Sequence, residues 1–175
     1  GDRPPLAYDS LSLNLGAEVR APKRPGCLPI KPLEPVLAAL AALPVGAAVR
    51  VVGSGPAAVE VSLALAVRGF AVSLEANPER AFWQSFATAL QAAGVELNAS
   101  ALKSDVELEL HCTGSWGPGW LAPSGLALDG RGRVLTGADL RSVNDGAVFA
   151  SGDCGVIDGH ARPPSGVWAV RAAPV

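Results

Sequence analysis

Apolar and polar positions along the chain predict strands and helices in alternation. A short β-branched run covers residues 49–52, and an Ala-, Leu- and Val-rich pattern of helical spacing follows residues 53–58 at once. A second apolar run covers residues 70–75, and a third begins at Val95. Apolar side chains recur at helical spacing over 82–93, which predicts an amphipathic helix of about three turns with its aromatic residues in the core. This order predicts β-α-β-α-β, half of a doubly wound parallel α/β sheet.

Three further elements are predicted before this unit. Residues 8–16 alternate leucine with polar side chains, and this period of two is typical of a half-buried strand, which ends at Gly16. Residues 20–32 are rich in proline and basic side chains, which predicts an extended connection. An Ala- and Leu-rich helical pattern then reaches about Leu43, where Pro44 ends it.

The second half of the chain predicts shorter elements. Residues 103–113 alternate apolar and polar side chains, as a half-buried strand does. Residues 124–135 predict two strands around a glycine turn. Residues 147–150 form an apolar strand that ends abruptly in Gly152-Asp153, and a last helix is predicted from Pro163 onward.

The turn after the first strand of the central unit carries the clearest chemical signal. Its sequence, Gly53-Ser54-Gly55-Pro56, continues to Ala58 with the Gly-x-Gly-x-x-Ala spacing of a dinucleotide-binding turn. Gly53 permits the tight turn, Gly55 lets the backbone approach a pyrophosphate, and Ala58 lets the helix pack closely on the strand. The N–H groups and dipole of the helix N-terminus favour phosphates. We predict that residues 53–56 cradle the pyrophosphate of NAD in a Rossmann-like domain; a glycine turn in another βαβ unit is the alternative.

An acidic residue stands at the end of the second strand of this unit. Glu75 lies about twenty residues beyond Gly53, where a carboxylate accepts hydrogen bonds from a ribose 2′-hydroxyl. Because a carboxylate also repels a 2′-phosphate, Glu75 predicts that NADH is preferred over NADPH. Arg80 is the nearby residue that would weaken this preference, although a surface charge at a helix start is the simpler interpretation.

Composition and charge narrow the class of protein. The chain has 175 residues, of which 49% are hydrophobic and 17% charged, as in a globular protein with a core. Its net charge of −2, without a Lys/Arg cluster, argues against nucleic-acid binding. No run of about eighteen apolar residues predicts a transmembrane segment, and no signal peptide is visible. We therefore expect a cytoplasmic protein whose partners are small-molecule nucleotide cofactors.

The cysteines and histidines do not predict a metal or redox site. Cys27, Cys112 and Cys154 are far apart and form no Cys-x-x-Cys pair, so each is interpreted as a small apolar residue. His111 and His160 also lack a partner at the spacing of metal ligands. His111 follows a strand-like run and is interpreted as a structural residue.

Four motifs in order resemble the pyridine nucleotide-disulfide oxidoreductases, the flavoproteins with two dinucleotide-binding domains. Tyr8-Asp9-Ser10-Leu11, with the strand up to Gly16, is similar to a strand of the FAD domain. The stretch from Gly53 to Glu60 resembles the fingerprint of the inserted NAD(P) domain. Cys112-Thr113-Gly114 and Val148-Phe149-Ala150-Ser151-Gly152-Asp153 resemble the two strands that return the chain to the FAD domain.

Within that family the chain looks most like one branch. Ile30-Lys31-Pro32-Leu33-Glu34 and residues 162–167 resemble the NADH-dehydrogenase-like proteins, including those fused to selenide, water dikinase. The resemblance implies an inserted NAD domain with remnants of a second, FAD-binding domain. The boundaries that we predict are residues 1–43 for an FAD-domain strand and linker helix, 44–114 for the NAD domain, and 115–175 for the return segment.

The resemblance also implies a reaction and the residues around the nicotinamide. A hydride would pass from NADH to flavin and on to another acceptor, so the cofactors carry the chemistry and no protein base or nucleophile is needed. Glu60 would face the nicotinamide side of the cleft, or else be a first-turn glutamate favoured by the helix dipole. Thr113 and Gly114 would flank the nicotinamide or the crossover between the domains.

For the flavin, the resemblance implies a site at the ends of the FAD-domain strands. Asp153 would bind the ribityl chain beside Gly152, and Gly16 would end the neighbouring strand; a turn or helix N-cap aspartate is the alternative for Asp153. Trp168 and Pro164 would border the isoalloxazine ring, although Trp168 is equally well interpreted as a core residue.

Departures from the family pattern leave other functions open. The N-terminal FAD fingerprint is absent and position 1 is not methionine, so we expect a fragment that starts inside a longer protein. The family's β-meander is reduced to a few residues between Leu97 and Val106, and the lack of a cysteine pair excludes the disulfide-reductase branch.

A non-catalytic nucleotide-binding or regulatory module is the alternative function. Residues 53–58 would also fit an FAD fingerprint, and the missing half would come from a homodimer or another chain.

Overall fold

The computed structural model describes residues 4–98 and 106–160, which form two compact units. The first, called here the sheet unit, consists of residues 19–114. The second, called the flanking unit, combines residues 1–18 with residues 115–175. Within the described ranges, no helix has both the length and the apolar character required to cross a membrane.

Nine strands and four α-helices make up the described structure. The strands are β1 Leu11–Leu13, β2 Cys27–Pro29, β3 Ala48–Val52, β4 Ala71–Glu75, β5 Glu96–Leu97, β6 Leu108–His111, β7 Val134–Thr136, β8 Val148–Ala150 and β9 Gly155–Ile157. The helices are α1 Leu33–Ala42, α2 Pro56–Val67, α3 Ala81–Gln84 and α4 Ala87–Ala92. Short 3-10 segments also occur at Gly119–Ser124 and Gly152–Cys154.

Five strands of the sheet unit form one parallel sheet. Their order is β2-β6-β3-β4-β5, and every neighbouring pair is parallel. The central strand β3 is followed by α2 and then by its neighbour β4, as the apolar pattern predicts. The predicted α/β class with a parallel sheet is therefore confirmed. The order changes direction at β3, because the chain fills positions on one side of it with β4 and β5 and on the other with β6.

One face of this sheet forms the core of the sheet unit. The register aligns alternate residues of β3, β4 and β6, and these residues are buried on a common face. They are Val49, Val51, Val72, Leu74, Leu108 and Leu110. Buried residues of α1, α2 and α4, such as Leu40, Leu65 and Leu90, pack against them. The intervening strand positions, including Arg50 and Glu109, lie on the other face, so the sheet has one apolar and one polar side.

Two local predictions for the sheet unit were wrong. The proline-rich stretch 20–32 is not only a connection, because β2 lies within it and pairs with β6. The helix predicted over 82–93 is broken into α3 and α4, since Phe86 adopts φ −110° and ψ 3°, outside helical geometry. Contrary to the prediction from the sequence, not all of its aromatic residues lie in the core. Trp83 is buried, whereas Phe82 and Phe86 are exposed and contact each other with ring centroids 5.2 Å apart.

The division of the chain differs from the predicted segments at one place. Residues 19–43, which the prediction places in the first segment, group with the sheet unit. These residues group with the sheet unit because β2 pairs with β6 and so extends the parallel sheet. In addition, Val36 and Leu40 of α1 belong to the core of the sheet unit.

The flanking unit is held by two pairs of short parallel strands. β1 pairs with β8, and β7 pairs with β9. The strand predicted over 8–16 is thereby reduced to three paired residues. The two strands predicted over 124–135 are reduced to an antiparallel bridge between Leu128 and Val134, and Val134 instead begins β7. Among the described residues of this unit, a small core joins these elements and consists of Leu13, Leu121, Val134, Val148, Ala150 and Cys154.

Candidate nucleotide-binding site

The turn after β3 is possible only with glycine at its first position. Gly53 has φ 152°, and its N–H donates a hydrogen bond to the carbonyl oxygen of Glu75 at 2.9 Å. A Cβ atom at Gly53 would lie 2.5 Å from the carbonyl oxygen of Cys112, which is the residue after β6. The ends of β3 and β6 therefore approach each other so closely that no side chain fits between them.

The second glycine of the turn is in a different situation. Gly55 is the N-cap residue of α2, with φ −104° and ψ −178°, a conformation open to any residue. A Cβ atom there would meet no protein atom within 4 Å. Neither the backbone nor the packing of this protein therefore requires glycine at this position. In a dinucleotide-binding turn, glycine at this position lets the protein backbone approach the pyrophosphate.

The start of α2 offers a helix N-terminus at the end of the central strand. Pro56 occupies the first turn of this 12-residue helix, where its missing N–H is not needed, and no side chain caps the helix. Ala58 is completely buried against the sheet, as its predicted packing role requires. The uncapped N–H groups and the dipole of α2 together favour an anion at this end.

Glu75 lies at the carboxyl end of β4 and is exposed. The loop that follows it is fixed by hydrogen bonds to its backbone. The N–H of Asn77 donates to Ser54 Oγ at 2.8 Å, and the N–H of Ala76 donates to Asn98 Oδ1 at 2.9 Å. Trp83 Nε1 donates to the carbonyl oxygen of Asn77 at 3.0 Å. The structure therefore brings Glu75 beside the glycine turn on a fixed backbone.

Residues after β6 border the same edge of the sheet. Thr113 and Gly114 are exposed, Gly114 has φ 99°, and Thr113 Oγ1 donates to the carbonyl oxygen of Arg20 at 3.2 Å. Burial raises the pKa of the Cys112 thiol to about 12, so the thiol stays protonated and is a poor nucleophile. Parallel sheets bind ligands at their carboxyl ends where the strand order reverses, and here Gly53 and Cys112 stand at that point.

The position of Glu60 corrects one interpretation. Glu60 is exposed on α2, but the first turn of this helix holds no acidic residue, and Glu60 lies in the second turn. A dipole interaction, which decays within the first turn, is therefore not the reason for a glutamate at this position.

In the flanking unit, the predicted flavin residues Gly16 and Gly152 follow two strands that pair with each other. Gly16 follows β1 and Gly152 follows β8, and because these strands are parallel their carboxyl ends lie together. A Cβ atom at Gly152 would lie 3.1 Å from Asn14 Oδ1. Asp153 is half-buried within the 3-10 turn Gly152–Cys154, whose N-cap is Ser151, so Asp153 itself is not an N-cap. Trp168 and Pro164 lie outside the described residues.

Three asparagines near these sites were missed by the sequence patterns. Asn77 and Asn98 hold the loop after Glu75, and Asn14 lies beside Gly152. The only sequence signal was that each follows the end of a strand, a position where asparagine is common in turns. Their tertiary contacts depend on strand neighbours that local sequence does not reveal.

Comparison with known proteins finds similarity in structure alone. No family model and no curated protein sequence matches this chain. Its fold is similar to the water-forming NADH oxidase from Lactobacillus brevis, with 20% identity and a TM-score of 0.70 over 95% of this chain. It is also similar to a NAD-dependent persulfide reductase from A. fulgidus, with 19% identity and a TM-score of 0.71 over 95% of this chain. A ferredoxin reductase from Rhodopseudomonas palustris has 18% identity and a TM-score of 0.72 over 93% of this chain.

This chain matches only part of the length of each of these three proteins. This chain spans 45%, 38% and 49% of the three proteins respectively, less than half of each. Identities of 18–20% support a statement about fold. The chain has the α/β fold with parallel sheets of the Rossmann-like FAD- and NAD(P)-binding domains of flavoprotein reductases.

Proposed function

We propose that this chain is the NAD-binding part of an FAD- and NAD-dependent oxidoreductase that passes a hydride from NADH to flavin. The observation that carries the proposal is the contrast between the two glycines of the turn. Gly53 is required by the close approach of Cys112, whereas Gly55 is required by nothing in the protein itself. A dinucleotide pyrophosphate, which must approach the backbone at the second glycine, supplies the missing reason.

The residues around the turn fit the parts of NADH in order. The N–H groups at the start of α2 and the residues Ser54, Gly55 and Pro56 would hold the pyrophosphate. Glu75 would accept hydrogen bonds from the adenosine ribose, and its negative charge would oppose the additional phosphate of NADPH. Arg80, an exposed residue five positions further on, is the group that would weaken this discrimination.

The other residues of the proposal belong to the reacting end and to the flavin. Thr113, Gly114 and the exposed Glu60 would border the nicotinamide. Gly16, Gly152 and Asp153 would contribute to a flavin site, and the resemblance adds Trp168. NADH and flavin supply the hydride chemistry when bound. The protein groups bind and orient them, and no protein residue is assigned a proton-transfer step.

A second candidate is a nucleotide-binding module without redox activity. The observation that favours it is the small size of the flavin-like edge, since β1 and β8 form a sheet of two strands with three residue pairs. Such a module would bind NADH through the sheet unit and lack flavin, regulating a fused enzyme such as a selenide, water dikinase. A homodimer is one arrangement in which a second chain would contribute further residues to a flavin site.

Calorimetric titration with NADH, NADPH and FAD tests these proposals. We expect NADH to bind more tightly than NADPH, and Glu75→Arg to weaken NADH binding by about tenfold or more. This magnitude follows because hydrogen bonds to a charged group contribute about 1.5–3 kcal/mol. Asp158→Arg is the matched control, since it reverses the charge of an exposed acidic residue in the flanking unit. It should change NADH and NADPH binding equally.

The outcomes separate the candidates. Binding of NADH that depends on Glu75, together with FAD binding and reduction of the flavin, supports the oxidoreductase. NADH binding with the same dependence but without FAD binding to the complete protein supports the module. If no nucleotide binds, or if the two charge reversals act alike on the NADH to NADPH ratio, the assigned cofactor site is wrong.

A further inference from the structure

Three potential metal ligands meet on the polar face of the sheet, and none of them belongs to the glycine turn. Glu109 and His111 are alternate residues of β6 and so point to the same side. Cys27 of β2 is the register partner of Glu109 on one side, and Arg50 of β3 is its partner on the other. Cys27, Glu109 and His111 are each less than 9% exposed. The proposed nucleotide site uses none of these side chains.

The ligand atoms are close together and surround one carboxylate oxygen. His111 Nε2 lies 2.7 Å from Glu109 Oε1, and Cys27 Sγ lies 3.5 Å from the same oxygen. One ligand atom from each of the three residues lies within 4.8 Å of the others.

We propose that Cys27, Glu109 and His111 form a binding site for a divalent metal ion of the zinc class. Thiolate, imidazole and carboxylate are the three protein ligands that zinc takes, at about 2.0–2.3 Å from the metal. Tetrahedral coordination at these lengths separates the ligand atoms by roughly 3.3–3.8 Å. The separation of 3.5 Å between Cys27 Sγ and Glu109 Oε1 lies within this range. The separation of 2.7 Å between His111 Nε2 and the same oxygen is shorter, so the imidazole and the carboxylate would move apart by a fraction of an ångström as the metal binds. A water molecule would complete the coordination.

Binding requires proton changes that the cluster permits. The Cys27 thiol loses its proton to solvent as the sulfur–metal bond forms. His111 binds through Nε2 in its neutral form, with its proton on Nδ1, so the hydrogen bond to Glu109 Oε1 is replaced by coordination of both atoms.

The two arginines that contact Glu109 differ in how firmly they are held. The Arg24 guanidinium donates to both carboxylate oxygens, at 2.7 Å and 2.8 Å, but its side chain is 58% exposed. Arg50 lies 3.4 Å from Oε2 and is only 15% exposed. Because the Arg24 side chain is more than half exposed, it can turn into solvent, and it would leave Oε1 when the metal binds. Arg50 would stay on Oε2 and orient the coordinating carboxylate, as hydrogen-bond partners of metal ligands do.

Metal binding would also fasten the edge of the sheet. β2 is an edge strand that pairs with β6 over only three residues. A metal bound to Cys27 on one strand and to Glu109 and His111 on the other links the two directly. Because such a site exists only in the folded protein, the metal stabilises the fold by an amount that rises with the logarithm of its concentration once this exceeds the Kd.

Titration with zinc chloride, and with cobalt(II) chloride as a spectroscopic substitute, tests the site on the full chain. Cobalt bound through a thiolate gives a sulfur-to-metal charge-transfer absorption that carboxylate or imidazole ligands do not give. We expect this band in the unmodified protein. Cys27→Ser should abolish the band, and His111→Gln should weaken metal binding by about tenfold or more. Cys154→Ser and His160→Gln, which change a cysteine and a histidine outside the cluster, should leave both unchanged.

Arg24→Ala distinguishes a metal-binding cluster from a cluster that serves only as an ion-pair network, and it does so without altering a buried residue. If the metal competes with Arg24 for Glu109 Oε1, this variant binds zinc roughly two- to fivefold more tightly than the unmodified protein. Absence of the charge-transfer band overturns the proposal, as does a band that persists in Cys27→Ser. Weaker zinc binding in Arg24→Ala would also overturn it, because Arg24 would then support the bound state. NADH titration of Cys27→Ser and Arg24→Ala tests the nucleotide site separately, because neither residue is assigned to that site.

Discussion

Replacement of Gly53 by alanine tests the geometry of the nucleotide-binding turn. The added Cβ would lie 2.5 Å from the carbonyl oxygen of Cys112 and 2.9 Å from its carbonyl carbon. The φ of 152° is also a backbone conformation that residues with side chains rarely adopt. Strain of this kind costs about 1–3 kcal/mol, and forced repacking adds about 1–3 kcal/mol. We expect the free energy of unfolding to fall by about 2–6 kcal/mol, and the melting temperature to fall by about 4–24 °C.

Gly55→Ala is the matched variant, two residues along the same turn. Its backbone conformation suits alanine, and the new Cβ meets no protein atom within 4 Å. Reduced freedom of the unfolded chain should leave stability unchanged or raise it by about 0.4–1 kcal/mol. The same Cβ would occupy the space that the proposal assigns to the pyrophosphate. NADH affinity should therefore fall by about tenfold or more, equivalent to about 1.4 kcal/mol.

Urea unfolding followed by circular dichroism, with calorimetric NADH titration, measures both quantities on both variants. The expected pattern is a large loss of stability in Gly53→Ala and a selective loss of binding in Gly55→Ala. Equal stability of Gly53→Ala and the unmodified protein would refute the close approach to Cys112. Undiminished NADH binding by Gly55→Ala would refute the assignment of the pyrophosphate to this turn.

Two further predictions concern stability. Leu110→Ala, at a completely buried position of β6, should lower the free energy of unfolding by about 2–5 kcal/mol, whereas Leu33→Ala, at a half-exposed position of α1, should change it much less; urea unfolding of both compares them. Burial raises the pKa of the Asp129 carboxyl, but hydrogen bonds from the backbone and side chain of Arg133 and the backbone of Arg131 lower it overall. Because its folded-state pKa lies below the unfolded value of about 3.9, its stabilising contribution is complete above that value and is lost as the pH falls through the folded pKa. Thermal melts from pH 5 to pH 2 should therefore show a shallower acid dependence for Asp129→Asn, and a slope unchanged from the unmodified protein would contradict the contribution of Asp129.

Local patterns were sufficient where one element follows the next in sequence. β3, α2 and β4 could be predicted because apolar spacing, the glycine turn and Glu75 all lie within 49–75 and agree with one another. The break at Phe86 could not be predicted, because the apolar positions on either side of it still follow helical spacing. The exposure of Phe82 and Phe86 is likewise a result of tertiary packing, which favours Trp83 through its bond to Asn77.

The features that could not be predicted depend on contacts between residues that are distant in sequence. Cys27 is 82 positions from Glu109, and only the pairing of β2 with β6 brings them together. No ligand spacing along the chain indicates such a cluster, since its geometry comes from strand register. The same limit applies to Gly16 and Gly152, whose juxtaposition depends on the pairing of β1 with β8.

The position of β2 has a consequence for how the chain folds during synthesis. In the described sheet its partner is β6, so the strand leaves the ribosome long before the strand that completes it. At about 5–20 residues per second, a separation of 82 residues corresponds to a wait of about 4–16 s. Throughout this time an unpaired strand is open to wrong partners. Residues 20–26, with their prolines, arginines and lysine, stand directly before it, and such residues beside a strand discourage aggregation until its partner arrives.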